Sequence, residues 1–128
     1  MIPLPLTPAP EPRPSTGEML RRARGLIERP ENWTREVSAR DSCGEGVSPD
    51  APAAVCWCAQ GVIARVNPQG DWRVLRALAA ALDPEEPWVF RIVKFNDDPR
   101  STHADVLALF DRAIAAEDAR AGEGGDHG

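Results

Sequence analysis

Cys58, His103 and the pair Asn96–Asp97 occur in the chain order of a thiol nucleophile, a base and a group that orients the base. In such a site the His103 imidazole would take the thiol proton and hold Cys58 as thiolate, while Asn96 or Asp97 fixed the ring. The chemistry would be that of a small cysteine-dependent hydrolase or transferase. These types in this order arise easily, however. Cys58 also falls inside the apolar stripe of a helix expected to start around Asp50–Pro52. Away from a helix start no dipole lowers a thiol pKa, and the simpler role for Cys58 is a small buried hydrophobe. The simpler role for His103 is an exposed first-turn residue.

Cys43, Cys56, Cys58 and His103 make a second set, three thiols and an imidazole, that zinc accepts. The spacing speaks against it. Cys56-Trp57-Cys58 leaves one intervening residue where a zinc knuckle leaves about two to four. On a helix, positions two apart point about 200° apart. No metal site and no cofactor are therefore expected. A third feature is the arginine run Arg21, Arg22, Arg24 and Arg29, with Arg13 upstream, which could meet an acidic partner surface or a phosphate. Glu18 and Glu28 dilute it, and a solvated helix face is the ordinary meaning of such a run. Trp33, Trp57, Trp72 and Trp88 are spread along the chain. Trp57 stands off the main stripe of its expected helix and is a candidate binding anchor. Core packing is the ordinary fate of at least three of the four.

The elements that must position these residues are mainly helical. Prolines at 3, 5, 8, 10, 12 and 14 make residues 1–14 a disordered, Pro-rich arm. Ser15 and Glu18 have capping-box spacing at the start of a first helix. Its stripe is Met19, Leu20, Ala23, Leu26 and Ile27, and Pro30 stops it. Trp33 is expected to pack against it. Near residues 36–48, Ser42-Cys43-Gly44-Glu45-Gly46 is a turn signal that fits either a small β-hairpin or an irregular loop. The second helix carries Val55, Cys58, Ala59, Val62, Ile63 and Val66 and ends at Asn67-Pro68-Gln69-Gly70. Asp71 caps a third, with Trp72, Leu75, Leu78, Ala79 and Leu82 as its stripe, before Pro84 and Pro87 interrupt the chain. The period over Trp88–Phe95 is mixed and read as a short helix. Asn96-Asp97-Asp98-Pro99 reads as a turn. Thr102 and Asp105 then cap a last helix with Val106, Leu109, Phe110, Ala113 and Ile114 inside. From Ala119 the apolar content ends, and residues 119–128 read as a disordered tail. The expected architecture is one compact bundle of four to five short helices over residues 15–118.

Length and composition narrow the function classes. The 128 residues suit one domain, and 42% hydrophobic with 27% charged residues is ordinary for a globular protein. A net charge of −5, one lysine (Lys94) and no tyrosine argue against a nucleic-acid binder. No apolar run reaches the roughly 18 residues of a membrane span. No early basic residue precedes an apolar stretch, so no secretory signal is expected. Three cysteines, an odd number, fit a reducing cytoplasm.

Several motifs carry a resemblance. They are Met19-Leu20, Ala23-Arg24, Leu26-Ile27-Glu28 and Trp33, then Ala54-Val55-Cys56-Trp57-Cys58-Ala59-Gln60-Gly61, then Phe95-Asn96-Asp97, and Thr102-His103 with Phe110-Asp111-Arg112-Ala113-Ile114. Over about residues 18–116 the chain resembles a family of small uncharacterised bacterial and phage proteins, a domain of unknown function. Val62-Ile63 stands where the family has an Ala-Leu-like pair. The resemblance implies no activity, but it places Trp57, Cys58, Gly61, Asn96, Asp97, Thr102 and His103 in one shared pattern, which a shared fold or a shared site would explain. Small size, the arm and the lack of a strong catalytic signature lead to a cytoplasmic protein-interaction or regulatory module, phage- or prophage-derived, whose partner is another protein. The alternative is the cysteine enzyme built on Cys58 and His103.

Overall fold

A computed structural model describes residues 14–82 and 87–125. The expected arm up to Arg13 and the break at Pro84 lie outside those residues. Five α-helices and one two-stranded antiparallel sheet follow in chain order: α1 Thr16–Leu26, β1 Ala39–Arg40, β2 Cys56–Trp57, α2 Ala59–Val66, α3 Trp72–Ala79, α4 Trp88–Asp97 and α5 His103–Gly125. The mainly helical bundle is thus the fold.

Local chemistry sets most of the boundaries. Ser15 Oγ accepts from the Glu18 N–H at 3.1 Å and starts α1. The Glu18 carboxylate turns to Arg22 at 2.8 Å. α1 ends at Leu26, before Pro30, which opens a 3-10 turn over Pro30–Asn32. Asp71 caps α3 through the Arg73 N–H at 3.0 Å. At α5 the capping box closes in both directions: the Asp105 N–H donates to Thr102 Oγ1 at 3.1 Å, and the Thr102 N–H donates to Asp105 Oδ2 at 2.9 Å.

α1 is the central helix and packs on α2, α3 and α5. Leu20, Ile27, Val62, Ile63, Val74, Leu78, Val106, Leu109 and Phe110 are fully buried between them. Their burial is the main term that holds the bundle together, at roughly 1.5–3 kcal/mol for each large aliphatic or aromatic side chain.

Four boundaries differ from expectation. The helix expected from Asp50–Pro52 begins only at Ala59, because Cys56–Trp57 is taken up as a strand. Arg40 pairs with Cys56 and Ala39 with Trp57, and the Val55 N–H donates to the Arg40 carbonyl at 2.9 Å. Val55 is half exposed as a result. A pairing partner distant in sequence overrides the apolar period there. Correspondingly, β1 joins β2 rather than a strand over 46–48. The turn after β1 does form, with Gly44 at φ +82°, but only one bridge, Arg40 to Gly46, continues a hairpin. Asn96 and Asp97 are the last residues of α4, and the turn starts one residue later, where the Ser101 N–H donates to the Asp98 carbonyl at 2.9 Å. Finally, residues 119–125, expected to be tail, continue α5. Alanines at 115, 116, 119 and 121 favour helix. Glu117 and Arg120 pair at 3.0 Å, and Arg21 of α1 binds Asp118.

Candidate functional site

The first of these differences moves Cys58 to a helix start, a place where thiols can be activated. Cys58 is the N-cap of α2, and its Sγ accepts from the Gly61 N–H at 3.2 Å. The Gly61 and Gln60 N–H groups pull the pKa down. Burial pushes it up and dominates, aided by the nearby negative charge of Asp97, so the thiol lies above its ordinary value. Cys58 is thus a neutral cap at neutral pH. It sits at one wall of a shallow groove of about 150 Å³ whose other walls include Glu36, Ser38, Val93 and Asp97.

Asn96 is 1% exposed and stands behind that groove. Its Oδ1 accepts from the Trp33 indole N–H at 2.7 Å and from the Ala59 N–H at 2.9 Å. Its Nδ2 donates to the Thr34 carbonyl at 3.1 Å and to Asp97 Oδ1 at 3.0 Å. One amide therefore ties α4, α2 and the segment after α1. Asp97 Oδ1 also accepts from the Glu36 N–H at 2.9 Å, at a residue held at φ +74°. A non-glycine residue in the left-handed region costs about 1–2 kcal/mol, and this bond helps hold it.

His103 is engaged elsewhere. Its Nε2 lies 2.6 Å from the Ile27 carbonyl oxygen. A carbonyl only accepts, so Nε2 carries the hydrogen and Nδ1 is the basic nitrogen. The ring lies against Trp33, with centroids 5.9 Å apart. The fold brings Cys58, Asn96 and Asp97 to one region, and His103 is not among the residues lining the Cys58 groove. His103 joins that region through Trp33, which contacts both its ring and Asn96.

Gly61 has a steric reason for its place. A Cβ there would lie 1.9 Å from the Ser38 carbonyl oxygen, so α2 approaches the β1 strand through the missing side chain.

The remaining candidates are occupied within the chain. Trp57 is 6% exposed, on β2 rather than on a helix; its indole N–H donates to the Pro49 carbonyl at 2.9 Å, and Arg65 lies 5.6 Å over its ring. Arg24 grips Asp111 of α5 through Nε at 2.6 Å and Nη2 at 3.3 Å. Arg22 pairs with Glu18 and Arg21 with Asp118. Cys43 is exposed in its turn while Cys56 and Cys58 are buried, and no cluster of three His, Cys, Asp or Glu side chains that could hold a metal occurs among the described residues.

A different face carries unused recognition groups. Trp72, placed in the α3 stripe by its spacing, is 53% exposed; the stripe that is buried runs through Val74 and Leu78. Trp72 borders a cleft of about 480 Å³ between α3 and α5, with Arg73, Arg76, Ala77 and Ala80 on the α3 side and Glu117 and Arg120 on the α5 side. Arg76 lies 5.4 Å over the Trp72 ring and makes no ion pair among the described residues. The signal for this cleft was present in the spacing: Arg73, Arg76, Ala77 and Ala80 fall at i, i+3, i+4 and i+7 on one side of α3.

The chain belongs to a family of unknown function, DUF6197, which matches residues 11–116. No curated protein and no solved structure matches it. Among the described residues no helix is long and apolar enough to cross a membrane.

Proposed function

From that family membership and the geometry above, we propose that the protein is a protein-interaction module whose working face is the α3–α5 cleft. The observation that carries this is Trp72: an indole left about half exposed, with an arginine over its ring, at the border of a cleft of about 480 Å³. Exposed tryptophan and arginine in a concave site are the residue types that dominate binding energy at protein interfaces. Three free cysteines suit a reducing compartment, in keeping with a cytoplasmic setting; a bacterial or phage regulatory role goes with the resemblance described above.

Less supports a cysteine enzyme. Cys58 is neutral, buried and engaged as a helix cap, and the Nε2 hydrogen of His103 is committed to Ile27. The motif Trp-Cys-x-x-Gly, Asn-Asp and Thr-His has a sufficient account in the fold, since each member closes a cap, a close approach or a buried hydrogen bond.

Site-specific photo-crosslinking in the native host tests the module. A benzophenone amino acid replaces Trp72 in one strain and, as an exposed control away from the cleft, Asp111 of α5 in another. A discrete adduct from position 72 and none from 111 is the expected result. No adduct from 72, or the same ladder from both, would contradict it.

A further inference from the structure

We infer that the occupant of this cleft is a short acidic segment of a partner protein, with an apolar residue beside its carboxylates. This rests on the module reading and adds the partner's chemistry to it. Charge is the first argument. Three guanidinium groups, Arg73, Arg76 and Arg120, line the cleft against one carboxylate, Glu117, on a chain whose whole sequence carries 20 acidic and 15 basic residues. Arg73 is neutralised by Asp71 and Arg120 by Glu117, while Arg76 holds its charge over the Trp72 ring. Stacking presents a guanidinium's N–H edge outward, where a carboxylate takes it in paired hydrogen bonds.

Shape is the second argument. Ala77 and Ala80 supply small side chains along the α3 side of the cleft, which leaves room for a backbone to lie between the arginines. Trp72 also borders a hollow of about 180 Å³ with Ile63, Ala64 and Leu75, which suits one apolar side chain; Gln60, Asn67 and Asp71, the last paired with Arg73, complete its lining. One indole thus separates a cationic cleft from an apolar hollow, and a segment that carries both kinds of group satisfies both at once. The cleft lies on a net acidic protein, 20 acidic against 15 basic residues, whose Arg21, Arg22 and Arg24 are already paired with carboxylates. A long polyanion such as a nucleic acid would meet repulsion beyond it, whereas a short peptide would not.

The test uses the full-length chain and fluorescence anisotropy of a fluorescein-labelled eight-residue peptide with four glutamates around one leucine. The same peptide with lysines for glutamates and a labelled 12-nucleotide single strand are the comparators. Binding by the glutamate peptide alone is expected, weakened about tenfold or more by Arg76→Glu and by raising salt from about 50 to 200 mM. Trp72→Ala weakens it as well while leaving the circular dichroism unchanged. No binding at millimolar peptide, equal binding by Arg76→Glu, or tighter binding of the oligonucleotide would overturn the inference. A crosslink from position 72 together with any of those results leaves the module standing and removes only the acidic partner.

Discussion

Asn96 Oδ1 accepts the Ala59 N–H at 2.9 Å across 37 residues of sequence. The end of α4 thereby caps the start of α2, and the same oxygen holds the Trp33 indole. Truncation of Asn96 would leave two buried donors and the Thr34 carbonyl without this partner. Asn96→Ala is expected to cost about 3 kcal/mol or more in denaturant unfolding. Asn96→Asp keeps the acceptors but sets a buried carboxylate beside Asp97. Its acid form is favoured, so its stability deficit shrinks as pH falls from about 7 to 4. A deficit that stays flat over that range would contradict the role given to Asn96.

Gly61 makes a steric prediction. A methyl at this position meets the Ser38 carbonyl oxygen at 1.9 Å, and the obstacle is backbone, which cannot swing aside. Gly61→Ala is expected to destabilise by about 3 kcal/mol despite alanine's better helix propensity. Gly25→Ala, where nothing lies within 4 Å, should be neutral or stabilising by a few tenths of a kcal/mol to about 1 kcal/mol. Equal stability of the two variants would refute the close approach.

Thiol labelling distinguishes a cap from a nucleophile. Exposed Cys43 should react with iodoacetamide readily at about pH 7.5, and Cys58 slowly. Burial and the charge of Asp97 hold the Cys58 thiol above its ordinary value of 9.0, so its labelling should rise only in more alkaline solution. Asp97→Asn should bring that rise to lower pH. Because the folded pKa is raised, the contribution of Cys58 to stability is fully present below the ordinary thiol pKa and is lost as pH climbs through the folded one. Mass spectrometry of the labelled peptides reads each site, and a Cys58 as fast as Cys43 at neutral pH would favour the enzyme.

Asp98 gives a pH marker at the turn before α5. Bidentate hydrogen bonding by Arg100, at 3.2 and 2.9 Å, together with the Arg100 N–H, lowers its carboxyl from 3.8 to about 2. With a depressed folded pKa, its stabilising contribution is present above the ordinary carboxylate range and is lost as pH falls through about 2. An NMR titration of the Asp98 carboxyl should show that low midpoint, and Arg100→Ala should return it towards 3.8. An ordinary midpoint in the parent chain would contradict the pairing.

Local signals in the sequence reach far into this fold. Ser15, Asp71 and the Thr102–Asp105 box all cap the helices they were expected to cap, because such caps need only neighbouring atoms. Cys58 shows where local reading stops. Its position at a helix start depends on β2, and β2 exists because Ala39 pairs with Trp57 and Arg40 with Cys56, far along the chain, a fact with no local trace. Trp72 shows a second limit: two overlapping stripes on α3 compete for the core, and contacts with other helices select the one through Val74 and Leu78. Residue types put Cys58, Asn96 and His103 in one candidate constellation, but they do not reveal that His103 turns to Ile27.

The central claim is that Cys58 serves the fold and Trp72 serves the partner. Quantitative co-purification from the native host, with Cys58→Ser and Trp72→Ala compared with the parent chain, tests it most directly. Serine is itself a good helix cap, so Cys58→Ser keeps the structure while removing any nucleophilic thiol. The account predicts unchanged partner recovery with Cys58→Ser and a loss of about tenfold or more with Trp72→Ala, both variants remaining folded. Loss with Cys58→Ser and full recovery with Trp72→Ala would contradict it.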